Sequence, residues 1–149
     1  MIRGRERRQK IVDQREPEGH RFETRRGELP RFDLILLGLG VDGHTASLFP
    51  TSPALKEVFR TVAAVHAGAA AIPQRLTFTL PVLTGAALVV FLISGAEKAN
   101  VVKAALIDGA AVPATMVRPT DGRLLWILDR AAASLLPAGA SQERPAVEA

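Results

Sequence analysis

Two short, wholly apolar runs, each closed by glycine, constrain this chain more than any other feature. After Asp33, Leu34-Ile-Leu-Leu ends at Gly38, and Leu88-Val-Val-Phe-Leu-Ile93 ends just before Gly95. A run without polar alternation is apolar on both faces, which is the mark of a strand inside a parallel sheet. After the second run, Ala96 to Ile107 carries Val101, Val102, Ala105 and Leu106 at helical spacing. Leu124 to Leu128 then reads as a third strand. Strands alternating with helices predict an α/β fold: a mostly parallel, Rossmann-like sheet flanked by helices. In such sheets function gathers at the carboxyl ends of the strands.

The intervening segments are less sharply written. Thr61 to His66 reads as a strand. Arg75 to Leu80 alternates Leu76, Phe78 and Leu80 against Arg75, Thr77 and Thr79, the pattern of a half-buried strand. Asp42 to Phe49 is predicted to be a loop entering a short helix near Thr45. Ser52 to Phe59 adds another helical turn or two, with Pro53 near its start. Pro81 opens a helix over Val82 to Ala87. Thr115 to Val117 reads as a brief strand and Arg130 to Leu136 as a final helix. The domain is expected to occupy residues 28–136. Ahead of it lies a charged leader, 1–27, too polar to pack. A flexible tail, 137–149, follows.

The net charge of +4 belongs to that leader. Residues 1–31 hold ten Lys/Arg against six Asp/Glu, and residues 32–149 hold nine of each. A neutral body gives no reason to expect nucleic acid as a partner. No apolar run reaches the length of a membrane span, so no membrane partner is expected either. Cysteine is absent. That excludes disulfides, thiolate metal sites and a cysteine nucleophile, and it fits a cytoplasmic protein.

The chemistry concentrates in Gly38-Leu-Gly-Val-Asp-Gly43, which follows the first strand and fits the dinucleotide pattern G-x-G-x-x-G. That pattern also needs a pyrophosphate-accepting helix start and an acidic residue about twenty positions on. Here Asp42 would oppose a pyrophosphate, and the next strand ends in Val65 and His66. Hydrolysis suits the same residues better. Asp42 and His44 flank one glycine at the mouth of a strand. An imidazole is the side chain best suited to take a proton from water at neutral pH, and a nearby carboxylate can orient it. Spacing alone leaves open a plain Asp-Gly turn with an idle histidine. His20 and His66 have no converging ligands and read as surface residues, so no metal or other cofactor is called for.

The run GLGVDGHTASLFP, Gly38 to Pro50, resembles the central signature of the 6-phosphogluconolactonases. Three further blocks agree with that family in order and spacing: Pro73 to Pro81, Phe91 to Ala99, and Pro113 to Ala133 with Trp126-Ile-Leu-Asp129. The resemblance covers about Leu29 to Leu136. It implies hydrolysis of 6-phospho-D-glucono-1,5-lactone to 6-phosphogluconate in the oxidative pentose phosphate pathway. Carried over by position, His44 resembles the base that activates water, with Asp42 placing the histidine or the water. Arg75 and Lys98 resemble basic residues of the phosphate site, with Gly40, Gly43 and Thr45 as further substrate contacts. The related glucosamine-6-phosphate deaminases follow the Asp-Gly-His core with Asn and Glu residues. Thr45-Ala-Ser-Leu-Phe-Pro50 supplies no acid. The resemblance is to the carboxyl-terminal part of the family only. A Gly-Gly-x-Thr-Pro-like phosphate loop and an Asp-Glu-Arg segment have no counterpart here, so the fold is expected to be truncated at the amino end. A missing amino-terminal half is then a candidate partner, and a non-catalytic fragment is the alternative reading.

Overall fold

The computed structural model describes residues 29–68 and 72–140. The leader 1–27 and most of the 137–149 tail lie outside the described residues. Three strands form a parallel sheet: β1 (Ile35–Leu37), β4 (Leu88–Ile93) and β5 (Arg123–Leu128), in the order β1-β4-β5. Leu37 pairs with Phe91 and Phe91 with Trp126, so all three strands run out at one edge. The two glycine-closed runs are thus neighbours, as a mostly parallel sheet requires.

One face of the sheet builds the core. Ile35, Leu37, Val89, Phe91 and Ile93 are buried there, with Leu124, Trp126 and Leu128 packed against them. Phe91 stacks on Trp126 at 4.2 Å between ring centroids, across the strand pair. Val101 and Val102 of α2 (Ala99–Leu106) join the same cluster. On the other face Val90 is buried, while Leu36, Leu92 and Ile127 are each about half exposed. Among the described residues β1 and β5 each pair only with β4 and are the edge strands of this sheet.

A second, antiparallel unit pairs β2 (Val62–His66) with β3 (Gln74–Phe78). Its burial inverts the sequence expectation. Thr77 and Thr79 are 4% and 0% exposed, whereas Leu76 is 75% exposed and Phe78 40%. The threonines face inward because their hydroxyls have backbone partners there. Thr79 Oγ1 donates to the Arg60 carbonyl at 2.6 Å, and Thr77 Oγ1 accepts the Ser47 N–H at 3.2 Å. A hydrogen-bonded hydroxyl carries little burial penalty.

Helices are fewer and shorter than predicted. Pro81 does open one, α1 (Leu80–Thr84), and Ser52 caps a 3-10 turn at Pro53–Lys56. Thr115 to Val117 is not a strand. Pro113 starts α3 (Pro113–Met116), where the Thr115 hydroxyl turns back to the Val112 and Ala110 carbonyls. Arg130 to Leu136 is a run of turns, with one helical bond from Ala133 N–H to the Asp129 carbonyl at 3.0 Å. No helix begins at Thr45. The chain instead makes a tight turn bridged between Thr45 and Leu48, with Ala46 at φ 50°. Alanine in that left-handed region is uncommon and costs roughly 1 kcal/mol.

Candidate active site

The loop from Gly38 to Pro50 leaves the carboxyl end of β1 and is folded by its own polar groups. Thr45 is buried, and its hydroxyl donates to the Gly38 carbonyl at 2.9 Å, which fastens the far side of the loop to the strand end. Gly40 N–H donates to the His44 carbonyl at 2.8 Å, and Gly43 N–H donates to the Gly40 carbonyl at 2.9 Å. The Gly43 carbonyl accepts the Ala114 N–H at 3.0 Å, so α3 braces the loop from outside. Gly40, Gly43 and Thr45, expected as substrate contacts, therefore have these groups engaged within the protein, where they shape the loop. The helix start expected near Thr45 is absent, for the same reason: this turn closes on itself.

Asp42 and His44 are brought together. The Asp42 Oδ1 accepts the His44 backbone N–H at 3.1 Å and lies 2.6 Å from ring Nδ1. Partial burial pushes the Asp42 carboxyl up, but the His44 backbone bond, the ring bond and the imidazole charge together hold it below the usual carboxylate range. An ionised carboxylate only accepts, so Nδ1 carries the proton and Nε2 is the basic nitrogen. Among the described residues Nε2 has no hydrogen-bond partner.

The ring is held on its faces as well. A Cβ on Gly40 would overlap His44 Nδ1 and Cε1, so the imidazole lies directly against the Gly40 backbone. Phe49 sits 4.5 Å from the imidazole, centroid to centroid. The Arg75 guanidinium lies over the same Phe49 ring at 5.6 Å. Phe49 thus joins Arg75, on the antiparallel unit, to the neighbourhood of His44. It was missed in the sequence because Asp42 to Phe49 reads there as a loop entering a short helix near Thr45. Arg75 Nε donates to the Ile72 carbonyl at 2.8 Å, leaving its two terminal nitrogens without partners among the described residues.

Lys98 comes from a different loop at the same sheet edge. It ends the 3-10 turn Ala96–Lys98, directly after β4. It is partly exposed and has no ion-pair partner among the described residues. His66 is exposed at the end of β2, as expected of a surface residue, and His20 lies outside the described residues. Among the described residues no three His, Cys, Asp or Glu side chains converge as metal ligands would.

The fold and site define an α/β protein with a mostly parallel sheet that carries a carboxylate-held histidine at the mouth of one strand, the edge where such sheets gather function. The comparisons with known proteins narrow this class. The family model for glucosamine-6-phosphate isomerases/6-phosphogluconolactonase matches residues 5–126, and the chain belongs to that family. It is 50% identical over 109 residues to the 6-phosphogluconolactonase of Rattus norvegicus, covering 72% of this chain and 42% of the relative. It is 48% identical over 110 residues to that of Homo sapiens, covering 72% and 43%. Its fold is similar to the 6-phosphogluconolactonase of Trypanosoma brucei, with a TM-score of 0.65 at 38% identity, covering 72% of this chain and 43% of that one. The chain spans about two fifths of the length of the curated relatives it matches.

Proposed function

We propose that this chain carries the hydrolytic centre of a 6-phosphogluconolactonase, opening 6-phospho-D-glucono-1,5-lactone to 6-phosphogluconate. The observation that carries the reading is the Asp42–His44 bond, which fixes the imidazole tautomer and leaves Nε2 available. In the reaction Nε2 takes a proton from water as the water oxygen attacks the lactone carbonyl. The tetrahedral oxyanion collapses with cleavage of the bond between C1 and the ring oxygen. The imidazolium returns its proton to that oxygen, and the acid product ionises. Asp42 stabilises the imidazolium and keeps its orientation.

Arg75 and Lys98 supply the positive charge that a phosphate requires, Arg as a planar fork and Lys as a point charge. Holding the phosphate places the distant carbonyl over Nε2, which is worth far more than the contact alone. The isomerase branch of the family is disfavoured by Thr45-Ala-Ser-Leu-Phe-Pro50, which offers no acid beside His44. No helix among the described residues is long and apolar enough to cross a membrane. A polar sugar-phosphate substrate and a cysteine-free chain suit the cytoplasm.

The test assays this chain alone and joined to the part of the rat relative that it does not span, above spontaneous lactone opening. The expected result is turnover by the joined chain that falls to background in His44→Ala. Turnover unaffected by His44→Ala would overturn the role of His44. No turnover in either form would favour a non-catalytic chain.

A further inference from the structure

Asp129 directly follows β5 and makes no hydrogen bond to Asp42, His44 or Arg75, yet both of its carboxylate oxygens are engaged. Oδ1 accepts the Ala132 N–H at 2.7 Å and so caps the turns that follow the strand. Oδ2 reaches across to the neighbouring strand and accepts the Gly95 N–H at 3.0 Å. The backbone joins the same two strand ends, with Asp129 N–H donating to the Ile93 carbonyl at 3.1 Å. Gly95 in turn accepts the Lys98 N–H on its carbonyl at 3.1 Å. Two hydrogen bonds therefore lead from Asp129 through one residue, Gly95, to the backbone of Lys98.

Gly95 is the pivot of that path. Its φ of 103° and ψ of 143° lie where residues with a side chain rarely go, and a Cβ there would overlap the Glu97 carboxylate. An unusual backbone conformation persists only where its surroundings hold it. Here the bond to an ionised carboxylate is such a hold, since charge-assisted bonds are the stronger kind. We infer that Asp129 is a positioning residue: it fixes Gly95 and thereby aims the Ala96–Lys98 turn, so that Lys98 is presented at the sheet edge where His44 stands. The inference rests on the proposed phosphate role of Lys98 for its functional meaning, but not for its geometry.

Two substitutions separate the cap from the cross-strand bond. Asn and Ser are both good caps for the Ala132 N–H. Asn has only one acceptor oxygen to offer, and Ser is too short to reach Gly95. Asp129→Asn and Asp129→Ser should keep the fold, seen as unchanged amide shifts in β1 and β4. In both, the Gly95 amide should exchange with solvent about tenfold faster. In titrations with 6-phosphogluconate, binding should weaken about tenfold in both, and no further when Lys98→Ala is added. In the joined chain the loss should fall on KM, with kcat little changed.

Gly95 exchange and Lys98 shifts that stay as in the parent protein would overturn the inference, whatever happens to binding. Should neither the parent protein nor the joined chain bind 6-phosphogluconate, the function reading fails, and Gly95 exchange still decides the role of Asp129. Should either variant lose the β1 and β4 shifts, the other decides it. If both lose them, Asp129 is a structural cap and the inference is wrong.

Discussion

The Asp42 carboxylate holds His44 twice through one oxygen, from the backbone N–H at 3.1 Å and from ring Nδ1 at 2.6 Å. The first bond sets the loop and the second sets the tautomer, so loop shape and chemistry share a single acceptor.

Asp42→Asn tests that division. Asparagine keeps an oxygen for the backbone N–H but brings no charge to stabilise an imidazolium, and its amide can favour the wrong tautomer. Lactone hydrolysis by the joined chain, measured above spontaneous opening, should fall on the order of 10²- to 10⁴-fold. The fold should be kept, seen as unchanged amide shifts in β1 and β4. A variant with near-parental turnover would mean that Asp42 serves only the loop.

The same bond predicts a pH dependence of folding. The Asp42 carboxyl titrates lower in the folded protein than its ordinary value of 3.8. The unfolded chain therefore binds this proton first as pH falls. Stabilisation from Asp42 is fully present above 3.8 and is lost as pH falls below it through the folded value. Chemical denaturation of the parent protein and of Asp42→Asn, compared at pH 7 and across the acid range, should show the gap narrowing in that window. A gap independent of pH would argue against the ion pair.

Gly40→Ala should separate activity from folding in another way. The added methyl would land on the His44 ring and the Asp42 Oδ1, so the imidazole must swing away from the backbone it rests on. Lactone hydrolysis should drop at least about a hundredfold, because a displacement near 1 Å is enough to cost that much. The amide shifts of β1, β4 and β5 should be unchanged. Retained activity would show that the ring is free to find its pose elsewhere.

Much of this site was legible in the sequence, and the reasons differ by residue. Gly38 and Gly95 close their strands where the apolar runs stop, because an unalternating run has one obvious place in a parallel sheet. Asp42 and His44 were legible because they flank one glycine at a strand end, where both can lie near its mouth, and because the family resemblance falls on the same two residues. Phe49 and Asp129 were not. Each acts across a tertiary contact, on His44 and on Gly95, that no local spacing encodes. The missing helix at Thr45 has a related cause. Propensity favours a helix in TASLF, but the Thr45 hydroxyl closes the loop onto the Gly38 carbonyl instead.

The strand β3 shows how a correct period can carry the wrong face. Leu76 and Phe78 were the natural inward residues, yet Thr77 and Thr79 are the buried ones, because the unit packs its polar side onto the Gly38–Pro50 loop. The two faces should respond oppositely to substitution. Leu76→Thr replaces a side chain that is already 75% exposed, so stability should stay within about 0.5 kcal/mol of the parent. Thr77→Val conserves volume but removes the acceptor for the Ser47 N–H and the donor to the Phe78 carbonyl. Leaving those groups without a partner should cost about 1–3 kcal/mol in denaturant unfolding. Because Ser47 lies between His44 and Phe49, the same change should also loosen the ring that backs the imidazole, and hydrolysis should fall with it. If Leu76→Thr proves the more damaging of the two, the apolar face is covered in solution and the burial pattern of β3 is the reverse of the one described.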